Sequence, residues 1–273
     1  MRIRFYGTRG SIPVSGATTI KYGGNTTCVY IETKNGESII IDAGSGIREL
    51  GVYLIQNKKN DLHLIFTHYH WDHIQGFPFF APAYSRNTKI YIYGPENDVE
   101  AKKALSYQMH IPFFPTIKLT DLPAKFTFKK IRPKFKIGKM TIQVIENNHP
   151  NYTFGLKFIE DDKNVVFLTD NELNSPSPRT SYKKFIKFVK GADLLIHDAQ
   201  YVDENYHTKI GWGHSTFNQV MQLARDCGVK RVLFTHHDPS SSDDFIQDVL
   251  KKTRKKFPGY EIDAASTGTE INL

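Results

Sequence analysis

The side chains best suited to chemistry are concentrated in Thr67-His68-Tyr69-His70-Trp71-Asp72-His73. Imidazoles and a carboxylate supply four ligand types within six residues. His68 and His70 are two apart, so an extended backbone turns both to one side. Asp72 and His73 are adjacent and are expected to point to different places. A set split two ways suits two neighbouring metal ions better than one. Imidazole and carboxylate without thiolate favour zinc, with manganese, iron or another borderline divalent ion as alternatives. A lone histidine is more often packed or solvated than a ligand; four ligand types in this order weigh against that plainer explanation.

The stretch follows the apolar run Leu62–Phe66, which reads as a short buried strand. The motif therefore begins in a loop at a strand end. Three further candidates sit just after apolar runs: His149 after Thr141–Glu146, Asp170 after Val165–Thr169, and His236 after Val232–Thr235. Loops at one end of a sheet can bring such residues to one point. His237 rivals His236, and the Leu233-Phe234-Thr235 spacing favours His236.

The order HxHxDH, then His, Asp and His, resembles the pattern of the metallo-β-lactamase fold hydrolases. That resemblance implies an α/β fold, an αββα sandwich of two mixed sheets flanked by helices. It implies that His68, His70 and His149 hold one ion, that Asp72, His73 and His236 hold the other, and that Asp170 bridges them. Members with a redox di-iron centre usually carry Glu at the position of His70, so the histidine favours hydrolysis.

Two segments narrow the branch. Leu195-Ile196-His197-Asp198-Ala199 resembles the HEAT motif of the tRNA 3′-end-processing ribonucleases, RNase Z, with Asp198 in place of Glu. Gly213-His214-Ser215-Thr216 resembles their HST motif, and Ser215 or Thr216 can cap the helix that follows. The resemblance makes His214 the general acid toward the leaving oxygen, oriented by Asp198, with Asp72 counted as catalytic as well as a ligand. Gly7–Pro13, Gly24–Cys28 and Asp42–Gly46 resemble the same phosphodiesterase branch. Asp42 is either a partner to a ligand histidine or a turn-forming residue.

One departure bears on substrate. RNase Z enzymes that grip tRNA carry a long arm between the metal-site His and the bridging Asp. Here His149 and Asp170 are 21 residues apart, with a hairpin between them. The branch acting on small cyclic phosphodiesters, the cyclic-nucleotide and phosphoribosyl cyclic phosphodiesterases, fits better. The expected reaction is attack of a metal-bridging hydroxide, its pKa lowered from about 15.7 to about 7, on a 3′,5′-cyclic nucleotide. A ribonuclease acting on RNA is the alternative, and a non-catalytic nucleic-acid-binding protein a third. A β-lactamase or thioesterase role is less favoured.

Length and composition agree with an enzyme of small anions. The 273 residues are read as a single domain, 1–273, with 40% hydrophobic content and a mean hydropathy of −0.42. A net charge of +8 favours anionic partners. No run has the apolar length of a membrane span, and Met1–Phe5 goes straight into strand-like alternation. Cys28 and Cys227 make no disulfide framework, so a cytoplasmic setting is expected. Related enzymes are often homodimers.

Strands are expected at 1–6, Cys28–Thr33, Ser38–Ile41, Lys89–Tyr93, Lys125–Ile131, Pro133–Ile137, Met140–Glu146, Phe154–Ile159, Val165–Leu168, Leu194–His197, Arg231–Phe234 and Tyr260–Ala264. Helices are expected at Ile47–Gln56, with Ile47, Leu50, Leu54 and Ile55 on its apolar face, and at Asn97–Met109, with Asp98 and Glu100 in its first turn. Tyr182–Lys190, Thr216–Cys227 and Asp243–Lys256 complete the set. Ile111–Pro115 cannot continue a helix, and Pro78 and Pro82 interrupt one begun at Ile74. Tyr69, Trp71, Phe77, Phe79, Phe80, Phe113, Phe114, Tyr206 and Trp212 are expected near the mouth of the site, as packing or as a stacking surface. Val202–Gly213 reads as a mobile lid or a partner contact. Two basic stretches, Lys125–Lys139 and Lys251–Lys256, are solvated faces or a grip on RNA.

Overall fold

Period-two alternation builds the centre of the molecule. In β1 (Arg2–Gly7), Ile3 and Phe5 are fully buried while Arg2 and Arg4 reach solvent. β2 (Cys28–Glu32) and β3 (Ser38–Ile41) pair antiparallel, setting Val29 opposite Ile41 and Ile31 opposite Ile39. These residues share one cluster with Ile3 and Phe5, whereas Cys28, Tyr30 and Ile40 face the other way into a second. Hydrophobic residues on both faces are what a sheet needs when it is covered on both sides. A computed structural model of the chain describes residues 1–97, 99–114 and 117–273.

The first sheet continues in parallel through β4 (Asp61–Ile65), β5 (Lys89–Gly94) and β6 (Lys125–Lys130). The chain then crosses to a second sheet. β7 (Lys134–Ile137), β8 (Met140–Glu146), β9 (Phe154–Glu160) and β10 (Lys163–Leu168) run antiparallel, and β11 (Leu194–Asp198), β12 (Arg231–Thr235) and β13 (Glu261–Ala264) follow in parallel. β14 (Glu270–Asn272) returns to the edge of the first sheet beside β1. The spatial orders are β14-β1-β2-β3-β4-β5-β6 and β13-β12-β11-β10-β9-β8-β7.

Helices cover both outer faces. α1 (Ile47–Gln56), the four-residue α2 (Trp71–Ile74) and α3 (Ala101–Gln108) lie with the first sheet. α4 (Tyr182–Val189), the short α5 (Asp203–Tyr206), α6 (Phe217–Cys227) and α7 (Asp243–Lys256) follow in the second half. Phe185, Val189, Val220, Leu223, Ile246 and Leu250 from α4, α6 and α7 pack on Val166, Leu195 and Val232 of the second sheet. The result is the αββα sandwich of two mixed sheets. Among the described residues no helix is long and apolar enough to cross a membrane.

Several expectations are corrected. α3 begins at Ala101, with Glu100 preceding its first residue; Asp98 and Pro115 lie outside the described residues. Ile55 is exposed and Gly51 takes its place on the buried face of α1. Phe77 and Phe80 are fully buried under the first sheet, so they belong to the core and not to the mouth. β14 was not expected, being a three-residue strand without a run of apolar residues to mark it.

Candidate metal centre

Thr67 anchors the metal-type loop. Its N–H donates to Asp42 Oδ1 and its hydroxyl to Asp42 Oδ2, each at 2.8 Å. His70 itself is extended, with φ and ψ of −62° and 153°. His68 and His70 therefore share a side, with ring centroids 4.6 Å apart. α2 starts at the next residue, so Asp72 and His73 are helical rather than in a loop. Consecutive helical residues are separated by about 100° rather than the 180° of a strand. The adjacent pair consequently converges, with Asp72 Oδ2 3.2 Å from His73 Nε2, against the expectation that they diverge.

Two ligand-type groups form. His68, His70, His149 and Asp170 bring one donor atom each within 4.8 Å of one another, and so do Asp72, His73 and His236. Asp170 faces both. Its Oδ1 lies 3.8 Å from His68 and 3.9 Å from His149, and its Oδ2 lies 3.2 Å from His73 and 3.4 Å from His236. His236 Nε2 is 3.0 Å from Asp72. His237 is turned away, with Nε2 donating to Ala265 O at 2.9 Å. All but His70 are buried.

The donor set fits divalent cations. Among the described residues no Lys or Arg pairs with Asp42, Asp72 or Asp170; the ionisable groups paired with them are all histidines. Buried carboxylates without a cation are costly, and divalent ions supply that charge. His68 Nε2 is buried with no hydrogen-bond partner. Burial and the neighbouring His73 hold His68 well below the usual imidazole range, and burial brings His149 to about 4, so both rings are neutral and can ligate. Against the same burial penalty, His73 and His236 hold Asp72 well below the ordinary carboxylate range.

The outer nitrogens of His73, His68 and His149 each face an acceptor, as ligand histidines require. His73 Nδ1 donates to Asp42 Oδ2 at 2.8 Å, so the partner role of Asp42 is the one realised. His68 Nδ1 lies 3.0 Å from Thr67 Oγ1, and His149 Nδ1 donates to Gly213 O at 3.1 Å. The Gln200 amide lies 2.8 Å from His236 Nδ1. Ser11 N donates to Asp72 Oδ2 at 2.8 Å. Thr67 and Ser11 fall within stretches singled out above, Thr67–His73 and Gly7–Pro13, but no role was read for either, and nothing in the sequence marks Gln200; only the fold brings the three to the ligand-type residues.

Three site residues, Asp42, Asp170 and His236, have φ of 60°, 55° and 56°. Each sits one or two residues past the end of β3, β10 or β12. The left-handed region is costly for a non-glycine residue and recurs where geometry serves function.

His214 and Asp198 come together beside the cluster. His214 Nδ1 donates to Asp198 Oδ2 at 3.3 Å, and its ring stacks on His236 at 5.3 Å. Asp198 is fully buried and also accepts from Asn171 N and Ser215 N. His197, whose Nδ1 lies 3.2 Å from Asp198 Oδ1, and His214 overcome the burial penalty and bring Asp198 to about 2, and Asp198 and Asp170 raise His214 despite its burial. His214 also approaches Asp170 and His236 as a third ligand-type group. Thr216 caps α6, accepting from Gln219 N at 3.2 Å, with Gln219 reaching back to Thr216 N. Ser215 does not cap; its hydroxyl donates to Asn171 O.

A two-sheet sandwich with paired His/Asp groups at one end of both sheets defines a class. The β-lactamase superfamily domain matches residues 37–237, and the chain belongs to the metallo-β-lactamase superfamily of metal-dependent hydrolases. Among relatives, it is 22% identical to a ribonuclease Z of Methanosarcina mazei over 298 positions, covering 94% of this chain and 93% of the relative. In structure it is similar to the metallo-β-lactamase fold protein YhfI of Bacillus subtilis, with a TM-score of 0.73 and 20% identity over 99% of this chain and 98% of that one. It is also similar to a diphosphatase of the PhnP family, with a TM-score of 0.72 and 16% identity over 100% and 97%.

Proposed function

We propose that the chain, read as one domain of residues 1–273, is a two-metal phosphodiesterase for small cyclic phosphodiesters, first of all 3′,5′-cyclic nucleotides. His68, His70 and His149 would hold one ion, Asp72, His73 and His236 the other, and Asp170 both. Zinc suits these ligands, and manganese is the alternative. Bound there, the ions supply activation of water and neutralisation of phosphate charge. The chain's own residues do the rest. His214, held through Nδ1 by Asp198, donates a proton to the departing sugar oxygen. Asp72, held by Ser11 N, keeps its carboxylate on the reacting side. The observation that carries the reading is the buried Asp198–His214 pair beside His236 and Asp170. A leaving alkoxide needs such a donor, worth about 10²–10⁴-fold.

The small-substrate reading is supported by the segment between His149 and Asp170, where β9 and β10 form a hairpin closed at Asp161 and Asp162. It is supported too by the alignment with the M. mazei ribonuclease Z. Its 298 positions exceed this chain's 273 residues, so that relative has segments without a counterpart here.

RNA is the second reading, favoured by the curated ribonuclease relatives and by one surface. Lys129, Lys130, Arg132 and Lys136 line a cleft of about 420 Å³ with Tyr93 and Phe135, where the open edges β6 and β7 meet. The other basic stretch has a plainer role, since Arg254, Lys255 and Lys256 end α7 and offset its dipole. The two buried free thiols, Cys28 and Cys227, suit a cytoplasmic setting. Exposed Ile111 and Phe113 offer apolar surface for a homodimer.

The test is turnover by metal-loaded protein on 3′,5′-cyclic AMP, GMP, CMP and UMP, on 2′,3′-cyclic nucleotides and on a short RNA. Fast cleavage of cyclic nucleotides is expected. Cleavage of RNA alone, falling steeply with salt, overturns the small-substrate reading.

A further inference from the structure

Glu172 lies two residues past Asp170 and is 1% exposed. Among the described residues no cation pairs with its carboxylate. Neutral donors hold it instead: Tyr206 OH at 2.7 Å, Gly211 N at 2.8 and 3.1 Å to its two oxygens, and Gly213 N at 3.1 Å. All three come from the segment 202–213. A buried carboxylate satisfied by four such bonds fixes the backbone that supplies them.

That backbone leads straight into the metal centre. Gly213, held through its N–H by Glu172, presents its carbonyl to His149 Nδ1 at 3.1 Å. Its φ is +86°, and a Cβ there would stand 2.0 Å from His149 Nδ1, so only glycine allows this approach. The next residue is His214. Glu172 is tied to the other side of His149 as well: its N–H donates to Asn148 O, and Asn148 Nδ2 reaches Glu172 O at 3.3 Å.

We infer that Glu172 is a positioning residue that clamps Gly211-Trp212-Gly213 against His149, fixing that ring's proton on Nδ1 and its Nε2 toward the centre. This rests on the reading of His149 as a ligand. The clamp also makes 202–213 a fixed wall of the site rather than a free lid, with exposed Trp212 between the two clamped glycines and Lys209 Nζ 4.0 Å from its ring centre. Glu172→Gln replaces one accepting oxygen by an NH₂ that faces backbone N–H groups, and so opens the clamp without altering any ligand.

The experiment is a competition titration of metal-free wild type, Glu172→Gln and Tyr206→Phe with zinc, paired with limited trypsin digestion. Wild type should bind two ions. In Glu172→Gln one of the two should weaken about 10–100-fold, the range for losing a group that orients a ligand, while the other is unchanged. Cleavage after the half-buried Lys209 should accelerate in the same variant. Tyr206→Phe leaves both glycine amides on the carboxylate, folds without a new buried charge, and should shift both readouts less in the same direction. Two wild-type sites that Glu172→Gln and Tyr206→Phe leave equally tight, with no change at Lys209, overturn the clamp and leave the phosphodiesterase reading standing. Equal weakening of both ions reduces Glu172 to a general stabiliser and overturns it too. Wild type that binds no zinc overturns the metal reading and the clamp with it.

Discussion

Asp42 Oδ2 and His73 Nδ1 face each other at 2.8 Å, and neither side chain is exposed to solvent. The same carboxylate receives both donors of Thr67, whose hydroxyl oxygen faces His68 Nδ1. One residue thereby orients a histidine of each ligand-type group. Asp42→Asn keeps the size and tolerates the left-handed backbone, but it removes the charge and one acceptor. Metal affinity should fall about 10–100-fold, and the metal-free protein should lose about 1–3 kcal/mol from the donor left unpaired. Zinc titration and a denaturant melt of the metal-free protein check the two effects; unchanged affinity would show that Asp42 only shapes the turn.

His214→Ala separates proton donation from metal binding. Turnover should fall about 10²–10⁴-fold while two ions remain bound. Asp198→Asn, which leaves the imidazole in place without its charged partner, should fall less. Loss of an ion in His214→Ala would move His214 into the ligand set, alongside Asp170 and His236.

His63 gives the fold a pH dependence separate from the metal centre. It lies in β4, stacked on Tyr91 with centroids 4.9 Å apart and with Nδ1 3.1 Å from the Tyr93 hydroxyl. Burial, then the charge of Lys129, pushes its pKa from 6.5 down to about 4. Between those values the unfolded chain binds the proton and the folded one does not. Stability is therefore full above pH 6.5 and falls as the pH drops toward 4. The side chain is partly exposed, so screening reduces the effect to about 1–2 kcal/mol. Urea melts at pH 7 and pH 4.5 should show a smaller acid loss in His63→Gln than in wild type. Equal losses would mean that His63 titrates alike in both states.

The fold was legible where one physical pattern dominated. The alternation of β1 to β3 and the 3.6-residue period of α1 placed their residues correctly, except at Ile55, where the apolar stripe runs one residue wider than the buried face. His68, His70, His149, Asp170 and His236 stood out because strands end just before them. The convergence of Asp72 and His73 did not, because it depends on a helix beginning one residue after His70. Phe77 and Phe80 look the same in sequence as exposed Phe79 and Trp71; only the 3₁₀ turns around Pro78 and Pro82 decide which ring goes inward. Gln200, Ser11 and Glu172 act through hydrogen bonds to residues from 34 to 61 positions away, and no local pattern encodes such contacts.

The most direct measurement counts metal ions and turnover together, in wild type and Asp170→Ala, with bis(p-nitrophenyl) phosphate as a substrate that asks only for phosphodiester cleavage. Wild type should carry two ions per chain and hydrolyse the diester. Asp170→Ala should lose both ions and the activity with them, because each carboxylate oxygen faces a different histidine group. A variant that keeps two ions, or a wild type that carries two ions and leaves the diester intact, would contradict a two-metal phosphodiesterase centred on Asp170.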